Sequence, residues 1–314
     1  MTIEAPSSDP TEQNTEDRIS GAIQPRATGF SLSSVYDQIR GFVPTLQTND
    51  IETYYKRTGE GLPLVFAHGA WTDHRMWEPQ VKALADEYEV ITYDVRGHGR
   101  TGESDEKRYT VDLFAADLRS LVEGLGLDRP VVCGLSLGGM IAQTYAVRYP
   151  EELRALVLAD TAVSSRLTLS DTLQTLLFPK WAMTAMVRVL GPKRWVDIAF
   201  RLANLTRGEE WFGLDDHVRS YVRETMSAFS AEEYNKIFGA VYEYRMVDLG
   251  AIQVPTLVVN GEYESESVFR HTTTLERLIP DVRSRVIPDA GHTSNMENPS
   301  AFTEALVEFL ERLG

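Results

Sequence analysis

A serine flanked by glycines, in Gly134-Leu135-Ser136-Leu137-Gly138, follows the apolar run Val131-Val132-Cys133. The run predicts a short buried strand, and the glycines predict a tight turn from that strand into a helix. Because the residues two before and two after the serine lack bulk, such a turn can lift the hydroxyl out of the sheet. This arrangement favours nucleophilic attack by the serine, provided that a base and backbone N–H groups lie nearby.

A nucleophilic serine of this kind requires a base and an orienting acid, and both are expected later in the chain. His292 follows the segment from Val282 to Pro288, which is predicted to be a strand, and precedes a final helix. Glu264 follows another buried run, from Ile252 to Gly261. The sequence thus supplies an imidazole and a carboxylate, each after a predicted strand.

Upstream of the serine, the apolar run Leu64 to Ala67 ends in His68-Gly69-Ala70-Trp71. A His-Gly turn can direct a backbone N–H at negative charge that develops on a substrate oxygen. His68 itself is predicted to bond the backbone of this turn. Three isolated histidines are predicted to be exposed: His74, His217 and His271. No spacing of histidine, cysteine and carboxylate side chains indicates a metal, so the prediction is no metal and no cofactor.

Five landmarks in this order make the chain resemble the α/β-hydrolase family over roughly Val43 to Leu313. The landmarks are His68-Gly69, Asp94-Val95-Arg96-Gly97-His98-Gly99, Gly134 to Gly138, Gly261 to Glu264, and Gly291-His292. The resemblance implies an α/β fold with a mostly parallel eight-stranded sheet and helices on both faces. It also implies a helical lid inserted between strands six and seven.

The resemblance further implies a role for each candidate residue. Ser136 would be the nucleophile and His292 the general base. The backbone N–H groups of Ala70 and Leu137 would form the oxyanion hole. Trp71, next to the oxyanion turn, is the residue that we predict to bind substrate.

The identity of the triad acid has two candidates. The family most often places Asp three residues after the strand-seven glycine, and here that position is Glu264. Glutamate is an accepted triad acid, so Glu264 is preferred, although Glu262 and Glu266 lie close by. Asp160, which ends the strand Ala155 to Ala159, stays open as the alternative, because some relatives take their acid from strand six.

The predicted function is hydrolysis of a carboxylic ester or lactone through a Ser-His-acid triad and an acyl-enzyme. Within the family, the residues from Gly134 to Gln143 are most similar to those of enol-lactonases and cofactor-free haloperoxidase-like esterases. Hydrolases that cleave carbon–carbon bonds of ring-opened aromatics share this triad and are the alternative enzyme class. A ligand sensor that keeps the fold for binding is the non-enzyme alternative. Epoxide hydrolases and haloalkane dehalogenases are disfavoured because they need Asp in place of Ser136.

The chain divides into a tail, a core and an insertion. Residues 1–26 are rich in Ser, Thr, Glu, Asp and Pro, which predicts a disordered acidic tail. Residues 27–161 and 251–314 are predicted to form the hydrolase core. Residues 162–250 are predicted to form the lid, because they far exceed the length of a βα loop. Their aromatic and methionine side chains are predicted to form mainly the core of the lid itself.

The composition excludes several partners. A net charge of -15 and a pI near 4.9 oppose binding to nucleic acid or anionic membranes. The chain has no run of 18 apolar residues and only one cysteine, so we expect a cytoplasmic protein. The family resemblance implies a small hydrophobic ester or lactone as its partner. The 25 Arg and 6 Lys residues against 46 acidic ones favour adaptation to high salt, with arginine-biased codon usage as the alternative.

Overall fold

The computed structural model describes residues 44–168, 172–173, 176–177, 179–207, 211 and 215–313. The predicted tail, residues 1–26, lies outside the described residues. No helix in the described ranges is both long enough and apolar enough to cross a membrane.

An eight-stranded sheet forms the centre of the described chain, with its strands in the order β1-β2-β4-β3-β5-β6-β7-β8. A hairpin at the edge pairs β1 with β2, and β2 runs antiparallel to β4, whereas the remaining pairs are parallel. The strands are β1 (Thr45–Thr48), β2 (Ile51–Thr58), β3 (Leu62–Ala67), β4 (Tyr88–Tyr93), β5 (Val131–Leu135), β6 (Ala155–Ala159), β7 (Thr256–Gly261) and β8 (Val282–Ile287). The predicted mostly parallel eight-stranded sheet is confirmed.

Helices follow the strands along the chain. They are α1 (Glu78–Leu84), α2 (Val111–Gly124), α3 (Leu137–Arg148), α4 (Lys180–Leu190), α5 (Pro192–Arg207), α6 (Asp216–Ser227), α7 (Ala231–Glu243), α8 (Glu266–Leu278), α9 (Ser294–Glu297) and α10 (Pro299–Leu310). Helices α4 to α7 lie between β6 and β7, and we call them the helical insertion.

Side-chain alternation along the central strands divides the core between the two faces of the sheet. In β3, Val65 packs into the cluster that includes Phe114 of α2 and Ile141 of α3. The next residue, Phe66, packs on the opposite face with Trp77 and Phe302. Both faces are therefore covered by helices, which explains why the parallel strands read as continuous apolar runs.

Cys133 illustrates this burial in β5. Its side chain is 1 % exposed, and burial raises the pKa of its thiol. The burial agrees with the predicted buried strand Val131-Val132-Cys133, and a thiol that stays protonated is not a nucleophile.

The helical insertion has its own small core, in which Trp195, Phe200 and Met226 are buried. This agrees with the prediction that its large apolar side chains mainly pack on one another. Trp181 and Met186 depart from it, because both are exposed. Trp195 also donates from Nε1 to the hydroxyl oxygen of Tyr234, at 3.1 Å.

Candidate active site

The turn between β5 and α3 holds Ser136 in an unusual backbone conformation, with φ 54° and ψ −112°. Residues other than glycine rarely adopt these backbone angles, so the surrounding packing must impose this conformation on Ser136. A Cβ atom on Gly134 would lie 2.1 Å from the carbonyl oxygen of Gly138. A Cβ atom on Gly138 would lie 2.1 Å from the carbonyl oxygen of Ala67. The close approach of strand and helix thus requires both glycines, as the sequence predicts.

The structure brings Ser136, His292 and Glu264 into one hydrogen-bonded chain. His292 Nε2 lies 3.2 Å from Ser136 Oγ, and His292 Nδ1 lies 2.5 Å from Glu264 Oε2. Ser136 follows β5, Glu264 lies between β7 and α8, and His292 lies between β8 and α9. A carboxylate can only accept hydrogen bonds, so Nδ1 is the donor and Nε2 can accept the serine proton.

Glu264 is buried yet held in its ionised form. Its Oε1 accepts hydrogen bonds from Trp211 Nε1 at 2.5 Å and from the N–H of Ser265 at 2.6 Å. Burial opposes ionisation, but the facing His292 and these donors keep the pKa of Glu264 below its usual value. At neutral pH the group can therefore stabilise a positive charge on the imidazole.

Asp160 occupies a different place beneath the same loops. Its Oδ1 accepts from the N–H of Gly261 at 2.9 Å, and its Oδ2 accepts from the hydroxyl of Ser294 at 2.5 Å. Burial, together with the negative charge of Glu264, raises the pKa of Asp160 to about 8. Asp160 thus links the end of β7 to the segment after His292.

The loop after β3 lies against the Ser136 turn. A Cβ atom on Gly69 would lie 3.6 Å from Ser136 Cβ, so Ala70 follows directly from a point of close approach. Leu137 is buried and begins α3, where backbone N–H groups have no partner within the helix. The loop that carries Ala70 therefore lies close to the serine turn, and Leu137 is the first helical residue after that turn.

Trp71 connects this loop to the helical insertion. Its φ is 58°, and its ring stacks on Tyr234 of α7 with centroids 4.7 Å apart. Its Nε1 donates to the carbonyl oxygen of Tyr234 at 3.4 Å. A partly open cavity of about 200 Å³ is lined by the segments after β3 and β4 and by the insertion, with Thr72, His98 and Phe229 in its wall.

His68 braces the loop after β3, as predicted. Its Nδ1 donates to the carbonyl oxygen of Gly69 at 2.8 Å, and its Nε2 accepts from the N–H of Val95 at 3.0 Å. Burial lowers the pKa of His68, so the ring is neutral and suited to one donated and one accepted hydrogen bond.

The prediction that the isolated histidines are exposed is wrong for two of the three. His74 is buried and its Nδ1 lies 2.8 Å from Asp94 Oδ1. His271 is buried under the loop after β6, where its Nδ1 accepts from the N–H of Val163 at 3.4 Å. Only His217 is exposed. The partners lie 20 and 108 residues away in sequence, so they become neighbours only in the folded chain.

Asp73, His74 and Asp94 form a buried group whose possible metal-ligating atoms lie within 4.8 Å of one another. Sequence spacing did not indicate this group. Both carboxylates already have partners within the protein. Asp73 forms an ion pair with Arg75, and Asp94 accepts a hydrogen bond from the N–H of Arg100 at 2.7 Å. Burial opposes ionisation of Asp94, but the bond from His74 keeps its pKa below the usual value. These contacts fit a brace between two loops.

Two residues that contact the site were not predicted from the sequence to do so. Glu297 accepts hydrogen bonds from the N–H of Gly291 at 2.6 Å and from the N–H of Thr293 at 3.0 Å. It thereby binds the backbone on both sides of His292. Trp211 was predicted only as an apolar residue of the lid, yet it donates to Glu264. For Glu297, the only indication in the sequence was that a carboxylate follows His292 after a few residues.

Comparison with known families supports what the fold and site indicate. A family model described as alpha/beta hydrolase fold matches residues 63–299. This span covers most of the chain and includes every residue of the hydrogen-bonded chain described above. The protein therefore belongs to the α/β-hydrolase family.

Similar proteins include enzymes that act on different bonds. The chain is 25 % identical over 276 residues to 3-oxoadipate enol-lactonase 2 of Acinetobacter baylyi, covering 86 % of this chain and 97 % of that protein. It is 26 % identical over 267 residues to 2-hydroxy-6-oxo-6-(2'-aminophenyl)hexa-2,4-dienoic acid hydrolase of Metapseudomonas resinovorans, covering 83 % and 88 %. A solved thermophilic esterase from Thermogutta terrifontis aligns with a TM-score of 0.72 and 28 % identity, covering 86 % and 97 %.

Proposed function

We propose that this protein is a serine hydrolase of carboxylic esters or lactones, with Ser136, His292 and Glu264 as its triad. The observation that carries the proposal is the continuous hydrogen-bonded chain from Ser136 Oγ through His292 to Glu264. Nucleophile, base and orienting acid occupy mutually consistent positions, which is the geometry that acyl transfer requires.

The reaction begins when His292 Nε2 takes the proton of Ser136 Oγ and the oxygen attacks the substrate carbonyl carbon. The N–H groups of Ala70 and Leu137 stabilise the negative oxygen of the tetrahedral intermediate. Collapse of this intermediate breaks the bond to the leaving oxygen, which receives the proton from His292. Water, deprotonated by His292, then attacks the acyl-enzyme and releases the acid with regeneration of Ser136.

Glu264 is the favoured acid because its charge state suits the role. It contacts His292 directly and is ionised, so it stabilises the imidazolium that forms in each step. Asp160 instead has a raised pKa, and its two carboxyl oxygens accept hydrogen bonds from Gly261 and Ser294. A carboxyl group with a raised pKa is less fully ionised and offers less electrostatic stabilisation.

The substrate that we propose is a small hydrophobic ester or lactone, with the helical insertion acting as a lid. Stacking of Trp71 on Tyr234 supports this role, because it joins the oxyanion loop to the insertion. The names of the enol-lactonase and esterase relatives agree with this class of bond.

A panel of chromogenic esters, lactones and ring-fission products tests the proposal. We expect thousands of turnovers on at least one ester or lactone, without added metal or cofactor. Turnover confined to ring-fission products would instead support the carbon–carbon hydrolase alternative, which the Metapseudomonas relative favours. A single slow turnover with a persistent adduct would support a ligand sensor and contradict the enzymatic proposal.

We also propose that the acidic, lysine-poor composition reflects adaptation to a cytoplasm with a high salt concentration. Raising KCl from about 0.1 M to 2 M is expected to raise the melting temperature by several degrees. The reason is that the Debye length falls from about 10 Å to less than about 3 Å, which screens repulsion among the carboxylates of a chain with net charge -15. Sodium sulfate at equal ionic strength separates the contribution of apolar contacts. A flat or falling melting temperature would favour arginine-biased codon usage instead.

A further inference from the structure

Trp211 makes three contacts with two members of the proposed triad. Its indole Nε1 donates to Glu264 Oε1 at 2.5 Å. Its backbone carbonyl oxygen accepts from the N–H of His292 at 2.7 Å. Its ring lies against the imidazole, with centroids 4.9 Å apart and planes inclined by 32°. The side chain is 8 % exposed, so these contacts are shielded from water.

We propose that Trp211 is a positioning residue that fixes the geometry of the acid–base pair and moderates the charge that Glu264 presents to His292. The inference rests on the proposed function, because it assigns Trp211 a role through the same triad. Trp211 lies between α5 and α6 in sequence, so the insertion contributes to the site through this hydrogen bond as well as by packing.

The moderating effect follows from how the donors divide between the two oxygens of Glu264. Oε2 faces His292 Nδ1, whereas Oε1 accepts from Trp211 and from the N–H of Ser265. A donor on Oε1 draws negative charge away from Oε2, which reduces stabilisation of the imidazolium. With the indole N–H removed, His292 would keep its proton to higher pH, and a larger fraction of the enzyme would lack a working base at neutral pH.

The geometric effect acts on the same side chain. Without the indole, Oε1 keeps only the bond from the adjacent backbone among the partners described here, and the carboxylate gains freedom to rotate about its terminal torsion. Loss of orientation at the acid carries over to the ring of His292, which then spends less time aligned with Ser136. Both effects slow attack by the serine.

The titratable groups that face His292 are all retained when Trp211 is changed. They are Glu264 from the loop after β7, Asp160 from the end of β6, and Glu297 from α9. A tryptophan-to-phenylalanine change alters none of these charges. A shift in the pH dependence would therefore arise from the lost indole hydrogen bond.

The test is the rate at which a fluorophosphonate labels Ser136, measured against pH, because this probe does not require a known substrate. For Trp211→Phe we expect labelling at pH 7 to fall about 10-fold. The midpoint of its rise with pH should move upward by about half a unit. Trp211→Gln should restore the midpoint toward that of the wild type, because its amide nitrogen stands the same number of bonds from Cα as the indole nitrogen.

Trp195→Phe is the matched control. Trp195 belongs to the same insertion, is 7 % exposed, and donates from its indole to Tyr234 rather than to the triad. Its loss should lower the melting temperature without moving the pH midpoint. If Trp211→Phe likewise moves only the melting temperature, or leaves the midpoint unchanged or lower, Trp211 is merely structural and the inference is overturned.

Failure of the inference is distinguishable from failure of the proposed function. If Ser136 of the wild type is not labelled, the triad assignment fails and the inference fails with it. If Ser136 is labelled and Glu264→Gln slows labelling while Trp211→Phe does not, the triad stands and only the role of Trp211 is rejected.

Should Trp211→Phe not fold, Trp211→Gln decides the matter: a labelling rate and midpoint close to those of wild type support the role of a side-chain N–H donor. A Gln variant that folds but labels at least 10-fold more slowly, with an unchanged midpoint, contradicts it.

Discussion

Replacing Ser136 by alanine is expected to reduce ester or lactone hydrolysis by about 10⁴-fold to 10⁶-fold while leaving the fold intact. The hydroxyl oxygen is the atom that forms the acyl bond, and the remaining site can only bind substrate and polarise its carbonyl. Removing one oxygen from a half-buried side chain leaves little void, so the melting temperature should stay close to that of the wild type. Steady-state kinetics on the best substrate of the panel, with thermal melting, measure both effects.

Ser120→Ala provides a matched control for this experiment. Ser120 is also half-buried, but it lies on α2, where its Oγ accepts a hydrogen bond from the N–H of Asn49. We expect this variant to keep full activity and full fluorophosphonate labelling. If Ser136→Ala retained a tenth of the wild-type activity, or if the label were found on a peptide that lacks Ser136, the proposed mechanism would be wrong.

Glu264→Gln is expected to lower kcat by about 10³-fold to 10⁴-fold, and Asp160→Asn by less than about 10-fold. A glutamine amide can donate to Nδ1 and thereby hold His292 in the tautomer that has no free Nε2 lone pair. Asparagine closely matches a protonated aspartate, and its side-chain oxygen can still accept from the N–H of Gly261. Kinetics of the two variants under one set of conditions provide the comparison.

The two carboxyl groups serve as controls for each other, because both are buried and both lie beneath the same loops. Equal melting temperatures would show that a difference in activity does not arise from unfolding. If Asp160→Asn proved the crippling change and Glu264→Gln the mild one, the acid would come from β6. Trp211 would then have to be reinterpreted as well, since its effect is argued through Glu264.

The features that the sequence predicts well are those set by neighbouring residues. The Ser136 turn depends on Gly134 and Gly138, which stand within two positions of it, and a single bulky side chain at either would collide with backbone. The ends of the strands could also be predicted, because apolar runs stop where glycines and polar residues begin. The order of landmarks carried the family resemblance, which implied Ser136, Glu264 and His292 as the triad. Parallel strands align their carboxyl ends, so the three residues meet at one edge of the sheet.

The sequence by itself thus determined the class of fold, the turn that presents Ser136 and the short set of residues able to act as base and acid. Only the tertiary structure decided which carboxylate contacts His292 and which donors surround it. Trp211 and Glu264 are 53 residues apart, and their contact exists because the helical insertion packs over the loop after β7. The charge states of Glu264 and Asp160 likewise depend on burial and on each other, and no local pattern encodes either quantity.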